Sequence, residues 1–442
     1  MSLSYRSVAA QSPDFAAALT RLTRRGDTDL DRVEPVVREI LSAVRQGGDR
    51  AVLGYVEKLE QRRPAQLLLR DYEGAAALAS LPTQVRQALE LSATRVRRYH
   101  EEQKRHLAGF SYSEAGVTLE SRVLPVDRAG VYAPGGKANY PSSVLMTAIP
   151  ARVAGVPEVI LACPQVSPEV RAAAHLAGVT AILDAGGAQA IAALAYGTES
   201  VPRVDKIVGP GNLYVTAAKR LVFGEVDIDG LAGPSEILVI ADEQANPRWV
   251  AADLISQAEH DEAAYALLLC QSEAFVERVR VELSRQLADL PRRAIALASL
   301  NANGLALIVP ERAELGRIAT LLAAEHVAVH TVAPAELAGS VLRAGAIFVG
   351  PMTPEGAGDY VAGPSHVLPT GGAARYASPL GVYHFLSRTS LITYEASALR
   401  DQAAAIAAFA RAEGLDGHAR AVEVRLDGDA PAASDATRPR TP

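Results

Sequence analysis

The sequence contains little cysteine and has no excess of positive charge. Cys163 and Cys270 are the only cysteines among 442 residues, and each lies in or at the end of an apolar run. Two such thiols form neither a disulfide framework nor, by themselves, a zinc cluster, so we expect buried free thiols in an intracellular protein. The formal net charge of −6 provides no broad basic field for phosphate backbones, which argues against nucleic acid as a partner.

Signals for export, membrane insertion and common nucleotide binding are also missing. The N-terminal stretch MSLSYRSVAAQSPDF lacks the basic start and apolar run of a secretory signal. No uninterrupted apolar stretch approaches the roughly 20 residues that span a bilayer. We therefore expect a cytoplasmic protein without a membrane partner. The chain has no G-x-G-x-x-G motif, so any dinucleotide site must be of an unusual kind.

What the chain does contain is the alternation of strand and helix patterns. Helical spacing dominates near the N-terminus, as in the run from Val33 to Val44, which Gly47 and Gly48 are expected to end as a left-handed cap. After about residue 117, short apolar runs alternate with helical patterns, which is typical of parallel sheets covered on both faces. The runs are VILAC (159–163), TAILDA (180–185), KIVG (206–209), EILVIA (236–241), YALLLC (265–270), LALIV (305–309), VAVHTV (327–332) and AIFVG (346–350).

These patterns predict an α/β protein with two incomplete Rossmann-like parallel-sheet domains, a helical N-terminal arm and a small C-terminal helical domain. The predicted limits are 1–29 for the arm, 30–130 together with 236–379 for the first α/β domain, 131–235 for the second, 380–428 for the C-terminal segment and 429–442 for a disordered tail. The tail is rich in proline, alanine and charge, which favours disorder.

Two glycine-rich segments are candidate ligand loops. RAGVYAPGGKANYPSS (128–143) follows a predicted strand and turns sharply, so its backbone could approach a ligand, although turns of this kind are more often plain surface loops. KIVGPGN followed by LYVTAAKRLV has the form strand, glycine turn, helix. Such a turn can direct backbone N–H groups at a phosphate.

Polar side chains in three further segments could bind a metal or transfer protons. Gln257 and His260 in QAEH are three residues apart, which places them on one helix face, although most such pairs are ordinary solvated positions. The irregular segment PEGAGDYVAGPSHVLPT (354–370) offers Glu355, Asp359 and His366. Adjacent acid and base side chains at 325 and 326 could act in proton transfer.

A last candidate pair lies near the C-terminus. Glu413 and His418 occur in AEGLDGH, at a predicted helix end, where a histidine also has a simple dipole explanation. None of these patterns identifies a site alone. Together they supply the oxygen and nitrogen donors of a metal site and an acid–base pair on two α/β domains.

Eight ordered blocks, between the first helix and Arg425, resemble the histidinol dehydrogenase family. The blocks are RAGVYAPGG, GGAQAIAALAYGTESVP, VDKIVGPGNLYVTAAKR, AGPSEILVIAD, LISQAEHD, the Glu325-His326 pair, PEGAGDYVAGPSHVLPT and AEGLDGHA. The resemblance implies zinc-dependent oxidation of L-histidinol to L-histidine through L-histidinal, with two successive hydride transfers to NAD, as the last step of histidine biosynthesis. It also implies one zinc per subunit and a homodimer that shares its active site between subunits through the 380–428 segment.

The resemblance further implies a role for individual residues. His326 is the expected base for the alcohol proton, and Glu325 is the residue expected to activate water for hydration of the aldehyde. The expected zinc ligands are Gln257, His260, Asp359 and His418, the last contributed by the partner subunit in the family. The expected substrate contacts are Ser235, His366 and Glu413, together with His326 and the zinc ligands, and the expected NAD contacts are Tyr132, Gln189 and Asn212.

Three positions depart from the family pattern. The family commonly has asparagine where this chain has Ser365, and aspartate and lysine where it has His384 and Ser387. All the expected ligands and acid–base residues are present, although changed surroundings can alter affinity. Two alternatives stay open, namely a related dehydrogenase for another small polar alcohol and a non-catalytic protein that binds a metal or metabolite on the same domains.

Overall fold

A computed structural model describes residues 2–26, 30–135 and 140–427. The predicted disordered tail at 429–442 lies outside the described residues, as do residues 27–29 of the predicted arm and 136–139 of the glycine-rich loop. Over the described residues no helix is both long enough and apolar enough to cross a membrane. Cys163 and Cys270 are free and buried, as predicted.

Strands and helices alternate along most of the described chain. The strands are β1 Arg6–Ala9, β2 Leu68–Leu69, β3 Phe110–Glu114, β4 Val117–Pro125, β5 Arg128–Tyr132, β6 Glu158–Ala162, β7 Ala181–Leu183, β8 Lys206–Val208, β9 Asp227–Ile228, β10 Glu236–Ala241, β11 Tyr265–Cys270, β12 Leu305–Ile308, β13 His326–His330, β14 Ala346–Val349 and β15 Leu386–Tyr394.

The helices connect these strands and pack on their faces. They are α1 Phe15–Thr23, α2 Glu34–Glu60, α3 Gly74–Ser80, α4 Thr83–Arg105, α5 Pro141–Ala154, α6 Pro168–Ala177, α7 Gly187–Tyr196, α8 Leu213–Val222, α9 Pro247–Ala258, α10 Glu273–Leu287, α11 Arg293–Ala302, α12 Arg312–Leu322, α13 Pro334–Ser340, α14 Glu355–Tyr360, α15 Ala396–Ala412 and α16 Asp416–Glu423, with short 3₁₀ helices at Ala373–Arg375 and Val382–Phe385.

The first large sheet is fully parallel, with the strand order β1-β12-β11-β10-β13-β14. Its central strand β10 is apolar on both faces. Ile237 and Val239 belong to one buried cluster, and Leu238 and Ile240 belong to another. Because successive strand residues point to opposite faces, helices must cover both sides, as the near-continuous apolar run predicted.

The second large sheet has the order β2-β7-β6-β5-β8-β9, and only its edge pair β2–β7 is antiparallel. Helices α2, α7 and α8 pack together on one side of it around an alanine-rich core. This sheet and the first one belong to one compact unit, residues 1–106 with 125–386.

A second compact unit comprises residues 107–124 and 387–442. It contains a three-stranded sheet in the order β15-β4-β3 and the helix pair α15 and α16. The predicted fold class, with two parallel-sheet cores and a helical C-terminal region, is confirmed. The predicted domain limits stay a prediction.

Helix α2 corrects one local expectation. Gly48 does adopt a left-handed conformation (φ 52°, ψ −140°), but the helix resumes after it and ends only at Glu60. The backbone N–H of Asp49 donates to the Glu199 carboxylate (2.7 Å). A distant side chain thus supports the turn, which makes it a kink where the local sequence predicted an end.

Candidate active site

The Glu325-His326 pair lies at the amino-terminal edge of the first sheet. His326 is the first residue of β13 and pairs in register with Ile237, so Glu325 lies beside Glu236 at the start of β10. Ser235 is half-buried directly before β10, and its carbonyl oxygen accepts a hydrogen bond from the Tyr265 N–H (3.0 Å). Parallel pairing therefore places the expected catalytic pair next to an expected substrate contact.

His326 is placed to accept a proton at one ring nitrogen. Its ring is 4% exposed, and Nδ1 lies 3.1 Å from the Glu236 carbonyl oxygen. Because that oxygen can only accept, this contact favours the tautomer with the proton on Nδ1 and the lone pair on Nε2. Nε2 is 3.9 Å from the Asp359 carboxylate. Burial lowers the pKa of His326 to about 4, which favours the neutral ring.

Glu325 is a buried carboxyl group beside other acids. Its Oε2 accepts a hydrogen bond from the Glu236 N–H (2.9 Å) and is 3.6 Å from His326 Nδ1. Burial raises the pKa of Glu325 well above its ordinary value, and the hydrogen bond from Glu236 offsets only part of that effect. A carboxyl group with a raised pKa suits proton exchange with water.

Helix α9 delivers the QAEH residues to the same edge. This helix follows β10 and runs back antiparallel to it, so its C-terminal end returns to the strand starts. Gln257 is fully buried there, and its amide nitrogen, in the orientation that satisfies its surroundings, lies 2.9 Å from Glu355 Oε1 and 3.2 Å from both the Glu236 carbonyl oxygen and His326 Nδ1. His260 follows the helix end and is exposed.

Three side chains close to His326 form a constellation that could hold a metal ion. Within the part of the chain that the structure describes, ligand atoms of His260, Glu355 and Asp359 all lie within 4.8 Å of one another. Glu355 and Asp359 lie on α14, which packs beside α9. An imidazole and two carboxylates are donors that zinc accepts, so the chemistry of the residues present fits a zinc ion.

His366 joins this cluster to the second sheet. Its Nδ1 donates to the Asp359 carbonyl oxygen (3.0 Å), and its Nε2 lies 3.4 Å from the Ser143 hydroxyl at the start of α5. Burial lowers the pKa of His366. Helix α5 follows β5, so Ser143 lies at the carboxyl edge of the second sheet, where parallel α/β sheets commonly bind ligands.

The expected NAD contacts lie along that carboxyl edge. Tyr132 ends β5, and its hydroxyl accepts a hydrogen bond from the Gly187 N–H (3.0 Å), at the start of α7. Burial raises the pKa of Tyr132 to about 12. Gln189 is buried in the first turn of α7 and donates to Glu60 (3.4 Å), whereas its Oε1 has no hydrogen-bond partner among the described residues.

The predicted strand, glycine turn and helix around KIVGPGN are present. Asn212 is exposed and caps α8, accepting hydrogen bonds from two backbone N–H groups (3.1 Å each). Gly209 has φ +113°, and a Cβ there would lie 2.2 Å from the Tyr132 carbonyl oxygen. The Asp229 carboxylate accepts a hydrogen bond from the Gly209 N–H (2.7 Å), and Lys219 donates one to the Gly209 carbonyl oxygen (3.0 Å). The turn is thus held firmly against Tyr132.

Contacts between the two sheets' loops bring these edges together. The Gly233 N–H donates to the Thr370 hydroxyl (2.6 Å), and the Ser365 hydroxyl donates to the Met146 carbonyl oxygen on α5 (3.1 Å). Ser365, a departure from the family pattern, is therefore a connector between the two sheets. A ligand at one edge would meet a ligand at the other.

Glu413 and His418 belong to the second compact unit. Both are exposed, and both line a cavity of about 390 Å³ in that unit together with Phe409 and Leu415. Phe409 is 72% exposed. These two expected substrate and metal contacts therefore lie on an apolar, accessible surface.

Three neighbouring residues were not predicted to take part in the site. Glu355 was noted in its polar segment but given no role. Glu236 is fully buried at the start of an otherwise apolar strand, and a charge in such a run is itself a signal because unpaired charges are rarely buried. Arg25, which pairs with Glu236, has no local signal, since its partner is 211 residues away.

Comparisons with known proteins identify the family to which the chain belongs. Residues 23–426 match the family model described as histidinol dehydrogenase. The histidinol dehydrogenase of Syntrophotalea carbinolica is 48% identical over 427 residues, which are 95% of this chain and 99% of that protein. That of Aquifex aeolicus is 47% identical over 409 residues, covering 92% and 96%.

A solved structure extends the agreement to the fold. The crystal structure of histidinol dehydrogenase from Elizabethkingia anophelis superposes with a TM-score of 0.89 at 31% identity, covering 96% of this chain and 99% of that one. The predicted kind of enzyme is confirmed at this level. With sequence and fold matched over nearly its whole length, the chain belongs to the histidinol dehydrogenase family.

Proposed function

We propose that this protein oxidises L-histidinol to L-histidine through L-histidinal, with two successive hydride transfers to NAD, as the last step of histidine biosynthesis in the cytoplasm. The observation that carries the proposal is the contact between the amino edge of the first sheet and the carboxyl edge of the second. A buried acid–base pair and a metal-binding constellation lie on one sheet, and His366 contacts Ser143 at the carboxyl edge of the other. Alcohol oxidation needs such a meeting point between a substrate and a nucleotide.

One zinc ion per subunit would be held by Gln257, His260, Asp359 and the partner's His418. Zinc bound there would hold the substrate through its amine and imidazole and so orient it. The buried Gln257 suits this arrangement because its amide nitrogen is engaged by Glu355, which leaves its oxygen as the available donor. Ser235, His366 and Glu413 would contact the substrate around it.

The acid–base pair would act in sequence. His326 Nε2 would take the hydroxyl proton as a hydride leaves the carbinol carbon for NAD, which yields the aldehyde. Glu325 would then take a proton from water as the water oxygen bonds to the aldehyde carbon. A second hydride would leave this hydrate anion for a second NAD, giving the carboxylic acid, which loses its proton to solvent as the carboxylate. A positioned general base typically contributes about 10²–10⁴-fold to such a step.

The nucleotide would lie along the carboxyl edge of the second sheet, contacting Tyr132, Gln189 and Asn212. Gln189 Oε1 is buried and has no described hydrogen-bond partner, so it is available to a donor on the ligand. In domain terms, residues 30–130 with 236–379 would carry the metal and catalytic groups, and residues 131–235 the NAD contacts.

We also propose a homodimer in which the 380–428 segment completes the partner's site. Support comes from the exposure of Phe409 and Leu415 (72% and 43%) beside Glu413 and His418. Burying such apolar side chains against a second subunit is favourable.

The decisive assay supplies purified, zinc-loaded protein with L-histidinol and NAD. We expect two NADH per L-histidine, and loss of turnover after chelation that zinc restores. Turnover of another small polar alcohol without turnover of histidinol would favour the related-dehydrogenase alternative. Zinc binding without any turnover would favour a non-catalytic binding protein.

A further inference from the structure

We infer that Glu236, held in place by Arg25, is the positioning residue for Glu325 and His326. The inference rests on the proposed function for the roles of that pair. That Glu236 fixes the positions of these two side chains rests on geometry alone, because its backbone contacts both of them.

The main chain of Glu236 contacts both members of the pair. Its N–H donates to Glu325 Oε2 (2.9 Å), and its carbonyl oxygen accepts from His326 Nδ1 (3.1 Å). The second contact favours the ring tautomer that leaves Nε2 free to accept a proton. A shift of residue 236 would therefore displace the acid and the base together.

The side chain of Glu236 holds that main chain at the strand start. Its Oε1 accepts from the Glu325 N–H (3.2 Å), the Gly371 N–H (2.9 Å) and Arg25 Nη2 (2.9 Å), and its Oε2 accepts from Arg25 Nε. Four hydrogen bonds thus converge on one fully buried carboxylate. The group is acceptor-only in its ionised form, which matches this set of donors.

Arg25 ties three chain segments to the same point. Besides Glu236, it donates to the Leu22 carbonyl oxygen (2.7 Å) at the end of α1 and to the Leu322 carbonyl oxygen (2.8 Å) at the end of α12. Helix α12 ends three residues before Glu325. The arm, α12 and β10 are therefore joined by one guanidinium next to the pair.

Stability alone does not explain this ion pair. Hydrophobic residues of similar volume often replace a buried ion pair without loss of stability. The strand that Glu236 begins is otherwise apolar, and its parallel pairing would form without the charge. What the ion pair adds is a fixed position for the residue whose N–H and carbonyl hold the pair.

The test replaces the ion pair with apolar side chains, in the double variant Arg25→Met/Glu236→Met. The control is Arg280→Met, which removes an arginine that binds the Tyr5 carbonyl oxygen (2.8 Å) and Glu273 in the same unit but touches neither Glu325 nor His326. Three quantities are measured on zinc-loaded protein: hydrogen exchange at the Glu325 amide, kcat with KM for L-histidinol, and zinc content.

We expect the Glu325 amide of the double variant to exchange about tenfold faster, because its acceptor is gone. We expect kcat to fall by about 100-fold, the scale of a misplacement near 1 Å, with KM and zinc content close to those of the control. Exchange and kcat matching the control would show that strand pairing alone holds the pair, and would overturn the inference. Equal losses in kcat, KM and zinc content would also overturn it, as a general structural effect.

A second variant covers the case in which the double variant does not fold. Glu236→Gln keeps the shape and the acceptor for the Glu325 amide, but turns an amide donor towards Arg25. The same fall in kcat with unchanged KM would support the inference, and a normal kcat would overturn it. If the wild-type protein fails to oxidise histidinol, the proposed function fails, whereas amide exchange still decides whether Glu236 and Arg25 hold the pair.

Discussion

Two histidines on one strand allow the proposed base to be tested against a matched control. His326 and His330 begin and end β13, and each is 4% exposed. His326 lies at the site, whereas His330 Nε2 is paired with the Asp253 carboxylate (2.8 Å) at the other end of the strand. Replacing each by alanine removes the same atoms from the same strand, so the two variants separate chemistry from packing.

The two substitutions should have opposite signatures. His326→Ala removes the proton acceptor, so kcat should fall by about 10²–10⁴-fold. Its ring packs on Phe348 (centroids 5.9 Å apart), so the free energy of unfolding should fall by only about 2 kcal/mol. His330→Ala leaves Asp253 buried without its partner, which should cost about 3 kcal/mol of stability with little change in kcat.

The measurement combines steady-state kinetics with chemical denaturation of both zinc-loaded variants. Temperature and protein concentration must keep each variant fully folded during the kinetic assay. If His326→Ala retained kcat within a few-fold of the wild type, the assignment of the base would be wrong. An equal fall in kcat for His330→Ala would show that strand packing, and not proton transfer, limits turnover.

Three further predictions follow from other parts of the chain. Gly209→Ala should raise the KM for NAD by about tenfold, because its Cβ would meet the Tyr132 carbonyl oxygen. Gly224→Ala should leave that KM unchanged, since Gly224 has a similar φ (+103°) but its Cβ would meet no atom within 4 Å. Equal kinetics for both variants would contradict this prediction. Mixed His418→Ala and His326→Ala subunits should regain about a quarter of wild-type activity, since half of the dimers carry one intact shared site; absence of rescue would exclude sharing. Burial lowers the pKa of His100, so the unfolded chain takes up a proton there that the folded chain does not. The free energy of unfolding should therefore fall as pH drops below about 6.5. Urea denaturation at several pH values should show that it changes less with pH in His100→Phe than in the wild type. An identical pH dependence in both proteins would show that His100 is not the cause.

The parts of the fold that could be predicted are those whose signals are local. Residues 237–241 form an uninterrupted apolar run because both faces of β10 are buried, and the same reasoning located most other strands. The sequence predicted an interruption of the helix at Gly48, but not that the helix would continue beyond it. Whether a glycine ends or bends a helix depended on Glu199, whose carboxylate lies 150 residues along the chain.

The candidate site divides along the same line. Gln257, His260, Asp359 and the pair at 325 and 326 carry recognisable local motifs, and the fold brings them together. Arg25 could not have been found, since nothing near it in the sequence distinguishes it from other surface-type arginines. Its role depends on a buried contact with Glu236, to which the chain returns only after it has formed the whole second sheet.

The arrangement of edges explains why the site lies where it does. In open parallel sheets, ligands commonly bind at the carboxyl ends of strands, and the NAD site that we propose at Tyr132 on the second sheet would follow that rule. On the first sheet the carboxyl end of β13 is occupied by the closed pair of His330 and Asp253. The groups that we propose as reactive lie instead at its amino end, and that edge contacts the edge proposed for the nucleotide through His366. A hydride moves only between atoms in contact, so a substrate on one sheet must face a nucleotide on the other. In the proposed site, the amino edge of the first sheet therefore faces the carboxyl edge of the second.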